Sequence, residues 1–303
     1  MIEIRRGNVA LVSTDTGEVL AEVEPGSKLS DPEDREAAKE YIEGIKAAKV
    51  RNDAVHYQSK LHGGFTFLSI NRMPDTLTPA TVGRLVYLST YVGYDNQLLS
   101  NKRTPITKTM LPEILCVGKT VAKRFFSECE AAKLLREDQQ KRLYISDAFF
   151  RGSIGNRKDQ HTRLWHDTIR DLYKRLPAKH HKYFGYVVQM LPWVNVNYNI
   201  VCSNPMETDP EQINPIDIDD LYMLCGYEAG SRNTHRFIDA LTGAWFDYRG
   251  SQQALCALFV RRGPDGKHTG LVVNPHLMYM GDDIERVGAM GCLFNPKIAD
   301  SAS

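Results

Sequence analysis

One order of segments occurs twice along this 303-residue chain, and it constrains the fold more than any single motif does. In the first copy, Thr78-Pro79 caps a helix carrying Val82, Leu85, Val86 and Leu88, which ends before Gly93. After a polar loop (95–103), a short helix is predicted over 107–115, with Pro112 leaving its extent open. Gly118 breaks the pattern, and a long helix is predicted over 119–135. Its Val121, Ala122, Phe125, Phe126, Cys129 and Ala132 repeat at three- and four-residue spacing on one face. A polar tip (136–142) and the apolar strand Leu143-Tyr144-Ile145 follow as a hairpin.

The second copy runs in the same order. A helix is predicted over 180–191, and a short one over 217–225 with Ile218, Leu221 and Leu224 inward. The turn 226–230 leads to a helix capped by Ser231, with Phe237, Ile238 and Leu241 on one side. The clearest hairpin of the chain comes next: strand 255–260, a tip 261–268 built on Pro264-Asp265-Gly266, and Leu271-Val272-Val273. A loose correspondence continues beyond each hairpin, between Ile145 through Phe149-Phe150 to Gly152 and Val273 through Met278-Tyr279 to Gly281. Helix, short helix, turn, helix and basic-tipped hairpin is the order of a winged helix-turn-helix. The expected fold is therefore α+β, with two tandem winged helix-turn-helix domains preceded by an N-terminal hairpin and helix. The divisions fall at an arm of 1–60, a first domain of 61–155, a bridging helix at 156–179, a second domain of 180–290 and a tail of 291–303. In the arm, Val9, Leu11 and Val19 flank the turn 14–17, and Ser30-Asp31-Pro32-Glu33 opens an exposed helix reaching about Val50.

The same order says where binding groups would sit. The second helix of such a motif enters the major groove with its first two turns, and the hairpin tip reaches phosphates or the minor groove. These positions carry Lys119, Thr120, Lys123 and Arg124 with Lys141 and Arg142 in the first copy. The second copy has Arg232, Asn233, His235 and Arg236 with Arg261, Arg262, Lys267 and His268. Arginine on guanine and asparagine on adenine each supply roughly 1–3 kcal/mol of discrimination, whereas lysine on phosphate adds affinity without sequence information. Glu128 and Glu130 weaken the first helix as a reader.

Net charge is only +1, but it is uneven. Residues 18–43 hold nine acids against three bases, and residues 151–182 nine bases against three acids. The basic stretch also contains Trp165, Ile169, Leu172, Tyr173 and Leu176, which suits a bridge between the copies; a DNA-backbone contact or a dimer element would use it too. No run approaches the ~18 apolar residues of a membrane span, and the basic N-terminus has no apolar core behind it, so a cytoplasmic protein without membrane contact is expected.

Chemistry finds little support. Six scattered cysteines include no Cys-x-x-Cys pair and read as buried thiols. Gly118-Lys119-Thr120 lacks the glycine that a phosphate loop needs five positions earlier, where Glu113 stands. His180 and His181 are adjacent and so diverge rather than share a metal. Asp217, Asp219 and Asp220 suit a helix start, and Asp282-Asp283 a turn. No catalytic residue, metal site or cofactor is expected.

The segments 107–145 and 217–273, with the Val-Asn-Pro-His-Leu-Met-Tyr-Met-Gly stretch ending at Gly281, make the chain resemble winged-helix plasmid and phage replication initiators and the related regulators of the multiple-antibiotic-resistance repressor type. The resemblance covers about two thirds of the chain. It implies sequence-specific binding of double-stranded DNA at repeated origin sites and recruitment of host replication proteins, with a homodimer as one possible state. A winged-helix transcriptional regulator and a non-catalytic protein-interaction scaffold are the alternatives.

Overall fold

The computed structural model describes residues 2–5, 8–12, 19–23, 32–100, 103–152, 154, 159–227, 234–263, 266–281 and 283–294. The chain divides into two compact units, 1–52 and 53–303. In the first, β1 (Ile2–Arg5), β2 (Asn8–Val12) and β3 (Val19–Val23) form an antiparallel sheet in that order. The expected two-stranded hairpin thus gains a strand, because Ile2 and Ile4 continue the alternation across from Leu11 and Val9. The turn 14–17 and the cap Ser30-Asp31 lie outside the described residues. Helix α1 (Pro32–Leu61) extends beyond the expected end near Val50, since nothing before the Gly63-Gly64 pair breaks it.

The second unit contains both copies of the repeated order. Strand β4 (Phe65–Ser69) leads to α2 (Pro79–Ser89), whose N-cap Thr78 accepts a hydrogen bond from the Thr81 amide. A 3₁₀ turn, Lys108–Met110, runs into α3 (Leu111–Ile114), with Pro112 in the first turn where its missing N–H costs nothing. Helix α4 (Lys119–Ala131) is four residues shorter than expected. Lys133 takes a left-handed conformation (φ 58°), while Leu134 N–H donates to Cys129 C=O at 2.8 Å and Lys133 N–H to Glu130 C=O at 3.0 Å. This is a Schellman stop made without glycine. The hairpin β5 (Leu135–Glu137) and β6 (Leu143–Ile145) follows, then β7 (Phe149–Phe150).

The second copy opens with β8 (His161–Trp165) and α5 (His166–Arg175). A single bridging helix over 156–179 is therefore not formed. The segment 161–165 is almost wholly buried as an inner strand between β4 and its far neighbour, and only 166–175 is helical. Next come α6 (His181–Gln189), α7 (Ile218–Leu224) and α8 (Thr234–Thr242). An unforeseen hairpin, β9 (Trp245–Tyr248) and β10 (Ser251–Ala254), turns on Arg249-Gly250, both with positive φ as a two-residue turn requires. The expected hairpin is β11 (Cys256–Gly263) with β12 (Gly266–Val273), followed by β13 (Met278–Tyr279) and α9 (Ile284–Gly291).

The copies match in pairing as well as in order. Bridges Val92↔Leu98, Leu99↔Pro105 and Gln97↔Tyr144 in the first recur as Val194↔Val201, Cys202↔Pro215 and Ile200↔Val272 in the second. The strand order β13-β8-β4-β7 places the two loosely corresponding segments at opposite edges of one sheet. Phe67 and Leu68 pair with Phe150 and Phe149, as Arg163 and Leu164 pair with Tyr279 and Met278. The central pair β4–β8 is antiparallel about Phe67↔Arg163. Helices α2 and α6 cross in the same reciprocal way. A Cβ on Gly83 would stand 2.5 Å from the His181 carbonyl oxygen, and one on Gly185 would run into the Pro79 carbonyl. Each glycine is the fifth residue of its helix and faces the first residue of the other. Such reciprocity defines an approximate two-fold axis through sheet and helix pair. One apolar core, from Leu68 to Met278, runs through both copies.

Candidate nucleic-acid interface

Helix α4 is held by its apolar face. Ala122, Phe125, Phe126 and Cys129 are buried, which leaves Lys119, Thr120, Lys123 and Arg124 all exposed on the other side. The left-handed Cys116 (φ 50°) makes the turn from α3, and Gly118 occupies the N-cap without a side-chain acceptor. The first amide groups of α4 therefore have no side-chain cap, and the positive helix end adds to the lysines. Lys108, which the sequence reading passed over, completes this face. Its ammonium stands 3.8 Å above the Phe126 ring and 3.6 Å from Glu137 Oε2. Lys108, Thr109, Lys119 and Lys123 border a groove of about 500 Å³ floored by Pro112, Ala122 and Phe126.

The glutamate that detracts from this face is partly drawn away from it. Glu128 accepts hydrogen bonds from the hydroxyls of Thr81 and, at 3.3 Å, Thr78 at the start of α2, while Arg124 Nε lies 3.5 Å from its other oxygen. In the β5–β6 hairpin, Lys141 is exposed at a left-handed tip position (φ 62°). Arg142 is committed elsewhere: Asp138 Oδ2 accepts from its Nε at 2.7 Å, and Asp138 Oδ1 from its amide at 2.8 Å. Burial pushes the Asp138 carboxyl up, but these bonds outweigh it and hold the group below the usual carboxylate range. Arg142 is thus better described as a brace of the hairpin than as a free phosphate ligand. Arg136, exposed and stacked 4.1 Å over Tyr144, is the cation that the sequence reading missed here.

In the second copy, Phe237, Ile238 and Leu241 bury one face of α8, and His235 and Arg236 are exposed with Asp239. Arg232 and Asn233, with the cap Ser231, lie outside the described residues. The turn before them contains Gly226 (φ 81°), in the place that Cys116 fills in the first copy. Register brings Arg261 opposite His268 and Arg262 opposite Lys267, so four basic residues gather at the end of β11–β12; Pro264 and Asp265 lie outside the described residues. The helix preceding α8 differs in charge from its counterpart. Asp217, Asp219 and Asp220 are at its start, and Met223 and Leu224 are 44% and 42% exposed.

The remaining candidates have structural places. His181 is buried and stacked 3.9 Å from Tyr173, whereas His180 meets Tyr183 edge-on. Asp283 caps α9 by accepting from the Arg286 amide; Asp282 lies outside the described residues. Cys129, Cys202 and Cys256 are buried, and burial pushes their thiols up; Cys225, half-buried, is pushed up to about 12. Cys116 and Cys292 are exposed, contrary to the expectation that the thiols are buried, because one occupies a turn and the other follows α9. Among the described residues no group of three His, Cys, Asp or Glu could hold a metal, and no helix is long and apolar enough to cross a membrane. Comparison with protein-family models, curated proteins and solved structures finds no match for the chain.

Proposed function

We propose that the protein binds double-stranded DNA in a sequence-specific way through two winged helix-turn-helix modules, with α4 and α8 as recognition helices. The observation that carries this reading is the solvent face of α4. Four polar or cationic residues fill its first two turns, its opposite face is buried, and Lys108 flanks it. The matching bridges of the second copy support extending the reading to α8. A replication initiator is the preferred role, since two unlike modules on one chain span unequal adjacent half-sites without dimerising; a transcriptional regulator would share the same interface.

A second reading concerns the second module alone. The acidic start and exposed Met223 and Leu224 of α7 oppose phosphate and favour protein, so this module would serve recruitment of a replication partner. The test is selection of bound sequences from random duplex DNA at moderate salt, followed by binding titrations. Lys119→Ala with Lys123→Ala should weaken binding of the selected site and lower its salt dependence by about one unit of slope per lost phosphate contact. Recovery of no shared sequence, or unchanged affinity in that variant, would remove the assignment. Replication of a plasmid linked to the selected site separates initiator from regulator.

A further inference from the structure

A separate cleft of about 520 Å³ opens beside the start of α5, on neither α4 nor α8, and belongs to none of the elements assigned above to duplex recognition. That volume suits a small ligand. Arg103, Arg151 and Arg170 line it against one carboxylate, Asp95, together with the rings of Tyr91 and Tyr94. The guanidinium of Arg170 is fixed: its Nε donates to Thr90 Oγ1 at 2.9 Å, its Nη2 to Thr90 C=O at 2.6 Å, and it lies 4.4 Å over Tyr91. Asp95 is turned towards its own hairpin, where its Oδ1 accepts from the Gln97 amide at 3.2 Å. Arg151 lies 4.9 Å over Tyr94, a ring that is 76% exposed. Arg103 is exposed at the rim, its left-handed backbone (φ 58°) closing the loop.

The geometry points to a nucleotide as the ligand of this cleft, with its phosphate on Arg103 and Arg151 and its base stacked on Tyr94. Planar guanidinium groups match phosphate oxygens in pairs, and aromatic rings accept any base by its face. A simple anion would make no use of the two rings, and an apolar ligand would leave three cations unpaired. A base within a duplex is stacked between its neighbours and cannot also stack on Tyr94, so an unpaired strand of DNA and a free nucleotide are the two sources of this chemistry.

The experiment measures binding of a fluorescein-labelled oligothymidylate of about twelve nucleotides to the full chain by anisotropy and of thymidine monophosphate directly by titration calorimetry, with thymidine monophosphate and inorganic phosphate also used as competitors. Tyr94→Ala should weaken the strand or the nucleotide about tenfold or more, as lost base stacking does, and Arg103→Ala with Arg151→Ala should weaken it as much. The arginine pair should also flatten the salt dependence for the strand by about one unit of slope. Both sites of substitution are at the cleft surface. Thymidine monophosphate should not displace duplex of the selected sequence, so the cleft and the duplex interface stand or fall separately. Binding of the strand identifies an unpaired-DNA site, and binding of thymidine monophosphate alone a free-nucleotide site. Absence of both, indifference to the Tyr94 and arginine substitutions, or competition by inorganic phosphate equal to that of thymidine monophosphate would overturn the proposal.

Discussion

Lowering the pH from 7.5 to 5.5 should remove about 5.5 kcal/mol of folding stability, because four histidines are buried in the neutral form. His62 stacks on both the Trp165 and Tyr248 rings, with centroids 4.7 and 4.8 Å away, and His276 stacks 3.9 Å from Tyr248 and stands 5.4 Å from His62. Neither nitrogen of His62 has a hydrogen-bond partner. Burial pushes His62 down to about 3, with a further push from His276, and burial pushes His276 to about 4. His166, whose Nε2 is 2.8 Å from the Thr66 hydroxyl, is held at about 3 by burial and by the charges of Arg170 and Arg151. His181 is held at about 4 by burial and by Arg84.

All four folded values lie below the unfolded value of about 6.5, so the unfolded chain binds more protons between about 6.5 and 4. Stability is therefore greatest above pH 6.5 and falls as the pH drops through that window. At pH 5.5 each histidine contributes a loss of about 1.4 kcal/mol, which gives the total above. Nothing in this sum depends on how far below 4.5 the folded values lie. It is a large share of the ~5–15 kcal/mol that holds an ordinary domain together. Urea unfolding at pH 7.5, 6.5 and 5.5, followed by tryptophan fluorescence, measures the loss; Trp165 sits within the stack and reports it. The chosen pH stays above the range in which carboxylates ordinarily titrate. His276→Phe should reduce the pH dependence by about one proton. A midpoint that does not move between pH 7.5 and 5.5, or that rises, would refute the argument.

The helix crossing and the first inter-helix turn give two further expectations. Gly185→Ala should destabilise the protein by about 1–3 kcal/mol, since backbone of α2 occupies the space of the new methyl and the ~1 kcal/mol gained in helix propensity is smaller than that clash. Denaturation of the variant checks it, and a stabilised protein would mean that α2 and α6 are not in backbone contact. Cys116→Gly should be stabilising by about 1 kcal/mol, because Cys116 is exposed and its left-handed backbone suits glycine, as Gly226 shows in the second copy. An unfolding midpoint lower than that of the parent would contradict this.

The helices were legible because their apolar faces recur at helical spacing, and α4 presents the polar face that its spacing implied. Its end was not legible, since the stop relies on Lys133 rather than on a glycine. The Arg249-Gly250 turn did carry a hairpin signal that went unread between stronger ones. The central sheet was out of reach for a different reason. β7 and β13 are two residues each, and β4 pairs with a strand almost a hundred positions away, so no local pattern reveals them. At the interface, Lys108 was missed because it precedes its helix, and Arg142 was overvalued because its Asp138 partner acts only once the hairpin closes.

The two-fold relation bears on what a bound DNA site would look like. Modules strung along a chain by a linker read direct or variably spaced repeats, but here β4–β8 and the glycine crossing of α2 and α6 fix one module against the other. If both recognition helices engage one duplex, its half-sites must be inverted, as for a symmetric dimer, yet unequal, because Lys119, Thr120, Lys123 and Arg124 on one helix answer to His235 and Arg236 on the other. Charge argues for a graded division of labour between them: Lys108 precedes α3, whereas three aspartates begin α7. On the proposed reading, phosphate affinity would concentrate at the first half-site, and the second would contribute through its helix and basic hairpin tip. An inverted site with one strong and one weak half is the arrangement that this asymmetry favours; two equal halves in direct orientation would be incompatible with the fixed axis.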